Sequence, residues 1–166
     1  MRRAAISHHT KDQLRSILVQ KKQATLLGFT KHLLEYKHVH TVVAKPRDFY
    51  LRDIERDLEA LYDPELPSYI PETYVSEYAH HLQTLPFHLQ GTHWYILSCA
   101  HASGGIVIAN SLRLSSHFLR SRDVAPIKME FLEWTSEWTP DQKEECLAEV
   151  PDVFTRASQV NDMIYF

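Results

Sequence analysis

The side chains best able to do chemistry in this sequence are its histidines. There are eleven in 166 residues, several in pairs or near-pairs: His8 with His9, His38 with His40, His80 with His81. Histidine serves as a metal ligand, as a proton shuttle near neutral pH or as plain surface, so position has to select among them. No conventional machinery accompanies them. Cys99 and Cys146 form no Cys-x-x-Cys pair, and neither a phosphate loop nor a Gly-x-Ser-x-Gly turn is present. No paired carboxylates at helical spacing are read as completing a di-iron centre. A second feature is the run Ser103-Gly104-Gly105, which closes an apolar stretch starting at Gly91. A glycine inside a helix costs about 1 kcal/mol relative to alanine, so two together need a reason. One reason is a kinked helix whose backbone approaches a flat ligand. The others are a tight crossing with a second helix, or a break between two helices.

The elements that must position these residues read as helices throughout. The sequence holds only four glycines, few alternating β-branched runs and long segments of 3.6-residue periodicity. Residues 4–20 place Ile6, Leu14, Ile17 and Leu18 at helical spacing. A second helix spans Phe29 to Val43 and stops at the Lys45-Pro46 step. A third runs from about Asp48 to Tyr62 with Ile54, Leu58 and Leu61 on one face. Pro71 opens a helix through Leu82. Leu85 to Leu114 is the longest apolar segment and forms the central helix. A polar break at Ser121 to Pro126 precedes a short helix to about Trp134. Thr139 and Pro140 then supply the cap and first residue of a last helix, which Pro151 is expected to kink or end early. No repeat or linker interrupts the chain, so residues 1–166 form one all-α domain.

Composition narrows the function classes. With 44% apolar and 11% aromatic residues the chain is not a disordered one. No apolar run reaches the roughly 20 residues of a membrane span, so no transmembrane segment is expected. No apolar stretch follows Arg2 and Arg3, which excludes a secretory signal. Two cysteines make no disulfide framework and point to a reducing, intracellular setting, cytoplasmic or in an organelle such as the mitochondrion. The net charge is −3, yet the first 50 residues carry ten Lys or Arg against three acids. That basic third suits an anionic ligand or partner, or is a solvated helix face. Its cations are not interleaved with aromatics and no reader motif appears, which argues against nucleic acid.

The stretch Gly91-Thr92-His93-Trp94-Tyr95 through Ser103-Gly104-Gly105 resembles the distal helix of heme oxygenases, where an Ala-His-x-Tyr is followed by Gly-Asp-x-Ser-Gly-Gly. His93, Tyr95, Ser103, Gly104 and Gly105 match without gaps. Other segments agree in order: Asp57 to Tyr62 resembles an Asp-Leu-x-x-Trp-Tyr segment, Trp138-Thr139-Pro140 a Met-Thr-Pro helix start, and Phe29 to His40 the helix bearing Tyr-His-x-Tyr. The resemblance implies a heme-oxygenase-like multihelical domain with a Gly-Gly kink in its central helix. It implies heme as the cofactor and substrate, opened with oxygen and electrons to biliverdin, carbon monoxide and iron, and a reductase as electron-donor partner. It makes His9, followed by Thr10, the iron ligand, with His8 as the fallback. Arg2 and Lys128 become the partners of the heme propionates, and Gly104 and Gly105 the backbone against the heme face.

The distal machinery departs from the family pattern. The catalytic aspartate aligns with His101, the glycine before it with Ala100, the distal tyrosine with His40 and the distal-helix arginine with Leu97. Gln13 stands where a glutamate steadies the proximal histidine. His101 is the candidate distal catalytic group, and His40 a second polar group beside the heme. Two alternatives stay open: a catalytically silent scaffold that serves as an interaction or assembly subunit, and a non-heme metal site shared by His40 and His101.

Overall fold

The computed structural model describes residues 28–61, 73–111, 113–120 and 124–161. These residues are all-α. In chain order they form α1 (28–42), α2 (Leu51–Ala60), α3 (Thr73–Thr84), α4 (Phe87–Ser111), α5 (His117–Arg120), α6 (Val124–Thr135) and α7 (Pro140–Asn161). The expected N-terminal helix, and with it Arg2, His8 and His9, lies outside the described residues, as does Pro71.

Helix ends follow local chemistry. Asp48 lies ahead of α2, where its Oδ1 accepts the backbone N–H groups of Tyr50 and Leu51 at 3.0 and 3.1 Å. The helix therefore begins three residues later than the periodicity suggested. Thr139 and Gln142 form a reciprocal capping box at the start of α7: the Gln142 N–H reaches the Thr139 hydroxyl at 3.2 Å, and the Thr139 N–H reaches Gln142 Oε1 at 2.9 Å. Pro151 does not end α7, which continues to Asn161. Buried Cys146 before it and buried Val153 and Val160 after it hold the helix on the core across the missing backbone donor.

α4 is the axis of the molecule and packs against α5, α6 and α7, while α2 meets α5 and α3 meets α7. Its 25 residues include no Asp, Glu, Lys or Arg, the composition of a helix meant to be covered on every side. An aromatic seam joins it to α6 and the turn beyond: Tyr95 stacks on Phe131 with ring centroids 4.1 Å apart, and Trp94 meets Trp134 edge-on. Gly91 makes room for this seam, since a methyl group there would sit 2.6 Å from the Trp134 ring. No described helix is long and apolar enough to cross a membrane.

Candidate functional site

α4 passes unbroken through Gly104 and Gly105, so the run is not a junction between two helices. The two glycines have different surroundings. A methyl group at Gly105 would lie 2.6 Å from the carbonyl oxygen of Leu119, so the backbones of α4 and α5 touch there. At Gly104 a methyl group meets no described atom within 4 Å. Gly105 thus has the tight crossing that the sequence left as one alternative, whereas Gly104 faces none of the described residues. Ala100, Ser103 and Val107 extend this opening along the helix at three- and four-residue spacing, all three exposed. The strip is small, uncharged and bare, on a helix with no charge of its own. Lys128, exposed on α6, stands near enough to Cys99 to draw its thiol pKa down against the upward push of burial.

α5 is fixed against Gly105 by Asp57. This carboxylate, buried on α2, accepts the Ser116 hydroxyl at 2.5 Å and the backbone N–H groups of His117 and Phe118 at 2.8 and 3.0 Å. Ser116 Oγ in turn accepts the N–H of Leu119 at 2.9 Å. A negative charge at the N-terminus of a short helix satisfies donors that have no partner inside it.

His101 and His40 are core residues. His101 donates its Nε2 hydrogen to the carbonyl of Phe118 at 2.7 Å, and its ring stacks on the Phe118 ring at 3.7 Å and 12°. His40 is held between Tyr36 and Tyr50, with centroids 5.8 and 5.7 Å away. His32, on the turn before, tilts against Tyr36 at 4.4 Å. The same two tyrosines meet the His101 ring, Tyr36 at 6.1 Å and Tyr50 at 5.0 Å, so His40 and His101 flank shared rings. Burial holds His32 and His40 at pKa values of about 3, helped by the nearness of His101, and burial holds His101 at about 4. All three are neutral at pH 7. His32 Nδ1, His40 Nε2 and Ser98 Oγ are enclosed without a hydrogen-bond partner.

A different cluster gathers groups that could hold a metal ion. His81 on α3, His93 on α4, and Glu149 and Asp152 on α7 bring one ligating atom each within 4.8 Å of one another. His93 Nε2 is 2.9 Å from Glu149 Oε1, while His81 Nε2 is 3.7 Å from that oxygen and 3.4 Å from Asp152 Oδ2. On its other side the His93 ring meets the Tyr78 hydroxyl, 2.7 Å from Nδ1. Burial keeps the His93 pKa below the ordinary histidine value against the opposing pull of Glu149. Arg156 bonds Asp152 Oδ2 at 2.6 Å. Glu149 and Asp152 are three apart on one helix face, a carboxylate spacing weighed from the sequence only for a di-iron centre. The clue was present in that spacing and in the His80-His81 pair. Its partner His93 was absorbed into the family motif instead, and the meeting of three helices far apart in sequence was not readable.

Three described cations of the basic first third have partners within the fold. Lys37 pairs with Glu55 at 3.2 Å, Arg47 with Glu130 at 3.5 Å, and Lys45 donates to the carbonyl of His40. No family model, curated protein or solved structure matches the chain, so the likeness to heme oxygenases rests on the quoted residues alone.

Proposed function

We propose that this chain binds heme in the manner of heme oxygenases, with the macrocycle laid on the bare strip of α4. The observation that carries the reading is Gly104: among the described residues nothing lies against it, in the middle of an uncharged helix that packs on α5, α6 and α7. Ala100 and Ser103 beside it are small enough to let a flat group approach the backbone. Lys128 stands near Cys99, the residue before Ala100, and would pair with a propionate. His9 and Arg2, the candidate axial ligand and second propionate partner, fall outside the described residues. Bound heme would supply an iron able to bind and activate oxygen, the chemistry by which heme oxygenases open the ring. His101 stands in the position of the family's distal aspartate, but its Nε2 hydrogen is engaged by Phe118. It serves ring opening only if it turns from that carbonyl toward the strip. Heme binding is therefore the function proposed, and ring opening its conditional extension.

Hemin titration of the purified protein tests this. A saturable Soret band at one equivalent is expected, lost in His9→Ala and in Gly104→Phe. Space is free at 104, so the second variant should keep its helical circular dichroism. No saturable band, or a Gly104→Phe protein that binds as well as the parent, overturns the proposal. Adding reductant and oxygen to the anaerobic complex then asks whether a bilin band grows in, and whether His101→Ala removes it.

The scaffold reading is favoured by one specific observation. Met129 and Leu132 project into solvent one turn apart on α6, 71% and 69% exposed, as residues of a protein contact would. A folded, helical protein that ignores hemin would leave this reading standing.

A further inference from the structure

We infer that His81, His93, Glu149 and Asp152 form a binding site for a divalent transition metal such as zinc, distinct from the proposed heme face. Three observations combine. The first is the donor set: two imidazoles and two carboxylates are the nitrogen and oxygen ligands that zinc and its neighbours favour. The second is spacing. Bonds of about 2.0–2.1 Å at the tetrahedral angle place ligand atoms about 3.3 Å apart. The separations of 2.9, 3.4 and 3.7 Å between these imidazole nitrogens and carboxylate oxygens bracket that edge.

The third is His81 itself. Its Nε2 is shut off from solvent and makes no hydrogen bond, although it points between two carboxylates. A polar atom left so is costly unless something joins it. A proton alone would let it bond one oxygen or the other, whereas a cation accepts the nitrogen and both oxygens together. Tyr78 fits the same purpose. Its hydroxyl oxygen lies 2.7 Å from His93 Nδ1, where it can accept the hydrogen of that nitrogen. That tautomer leaves the Nε2 lone pair facing the cluster, as outer-shell partners of ligating histidines do. Arg156 bonds Asp152 Oδ2, the oxygen that also faces His81, and one hydrogen bond leaves that oxygen a further lone pair for the cation. The site clamps α7 to α3 and α4 and so has a structural character.

The test uses the full-length protein, stripped of metal with a chelator and free of hemin. Titration with zinc against a chromophoric competitor should show one tight equivalent. Cobalt in its place should give the intense visible bands of a tetrahedral nitrogen and oxygen site. His81→Ala and Glu149→Gln should each weaken zinc by more than the roughly 10- to 100-fold that loss of an outer partner causes. Tyr78→Phe should fall within that range. Asp152→Asn, altered at a half-exposed side chain, is a further arm if His81→Ala fails to fold. Overturning results are the absence of a stoichiometric equivalent, cobalt bands of octahedral weakness, or zinc affinity unchanged in both His81→Ala and Glu149→Gln. Hemin binding is read separately through the Soret band, so failure of one site leaves the other intact.

Discussion

Gly104 and Gly105 are neighbours in sequence with opposite demands on the residue that occupies them. A side chain at 105 must displace the backbone of Leu119, and backbone yields far less readily than the end of a flexible side chain. Gly105→Ala should therefore lose about 1–3 kcal/mol of stability, the usual range for overpacking. Gly104→Ala places its methyl group in free space and removes the entropic penalty of a helical glycine, so it should gain about 1 kcal/mol. Urea midpoints for the two variants should move in opposite directions. Equal losses in both would show that the opening at 104 is closed in solution. The sequence displayed the two glycines together and offered both a flat ligand and a tight crossing as their cause. It could not apportion them, because which way each Cα–H points depends on where α5 lies. The same limit hid the metal cluster, whose members become neighbours only when α3, α4 and α7 pack.

Elements were the most legible level, since helical periodicity and end signals are local. The Thr139-Pro140 start of α7 is where the cap chemistry put it, and the reciprocal bonds with Gln142 explain why. Pro151 does not end α7, because the packing on both sides of it outweighs a cost that the sequence shows only locally. Two further helix ends make testable statements. α4 closes in a Schellman turn: the N–H of Leu114 reaches the carbonyl of Ala109 at 2.8 Å and that of Arg113 reaches Asn110 at 3.3 Å. Arg113 takes the left-handed position with φ of 54°, which strains a residue bearing a Cβ. Arg113→Gly should raise stability by about 1 kcal/mol, visible as a higher thermal midpoint. An unchanged or lower midpoint would mean the arginine side chain contributes more than its backbone costs. At α5 the expectation is reversed. Asp57→Ala strands the Ser116 hydroxyl and two backbone donors in the interior, and should destabilise by about 3 kcal/mol or more. Asp57→Asn keeps an acceptor and should lose less. Equal midpoints for the parent and Asp57→Ala would mean that α5 holds its place without the cap.

For the whole molecule, the fraction of histidine enclosed in the core sets a limit on the pH range of the fold. His32, His40 and His101 have folded pKa values of about 3, 3 and 4, against 6.5 when exposed in the unfolded chain. Desolvation is the main cause at each, with proximity to His101 adding to it at His32 and His40, and Lys45 adding further at His40. A depressed histidine pKa means that the unfolded chain binds protons that the folded one refuses. The stability is complete above pH 6.5 and drains away as pH falls from there toward 4 at His101 and toward 3 at His32 and His40. By pH 5 each residue has moved about 1.5 pH units below its unfolded value, and so removes about 2 kcal/mol. The three together remove about 6 kcal/mol, which is comparable with the whole stability of a domain, about 5–15 kcal/mol. Cooperative acid unfolding is thus expected as pH falls through this window, with uptake of up to three protons by these sites. His40→Phe keeps a ring between Tyr36 and Tyr50 while deleting one titration, so its acid midpoint should lie lower and its proton uptake be smaller by one. Circular dichroism against pH and urea midpoints at pH 7 and pH 5 measure both effects. A urea midpoint that is the same at the two pH values would show that these imidazoles take up protons without unfolding. That outcome would require the partnerless nitrogens of His32 and His40 to find acceptors inside the core, and His101 to turn its ring away from Phe118.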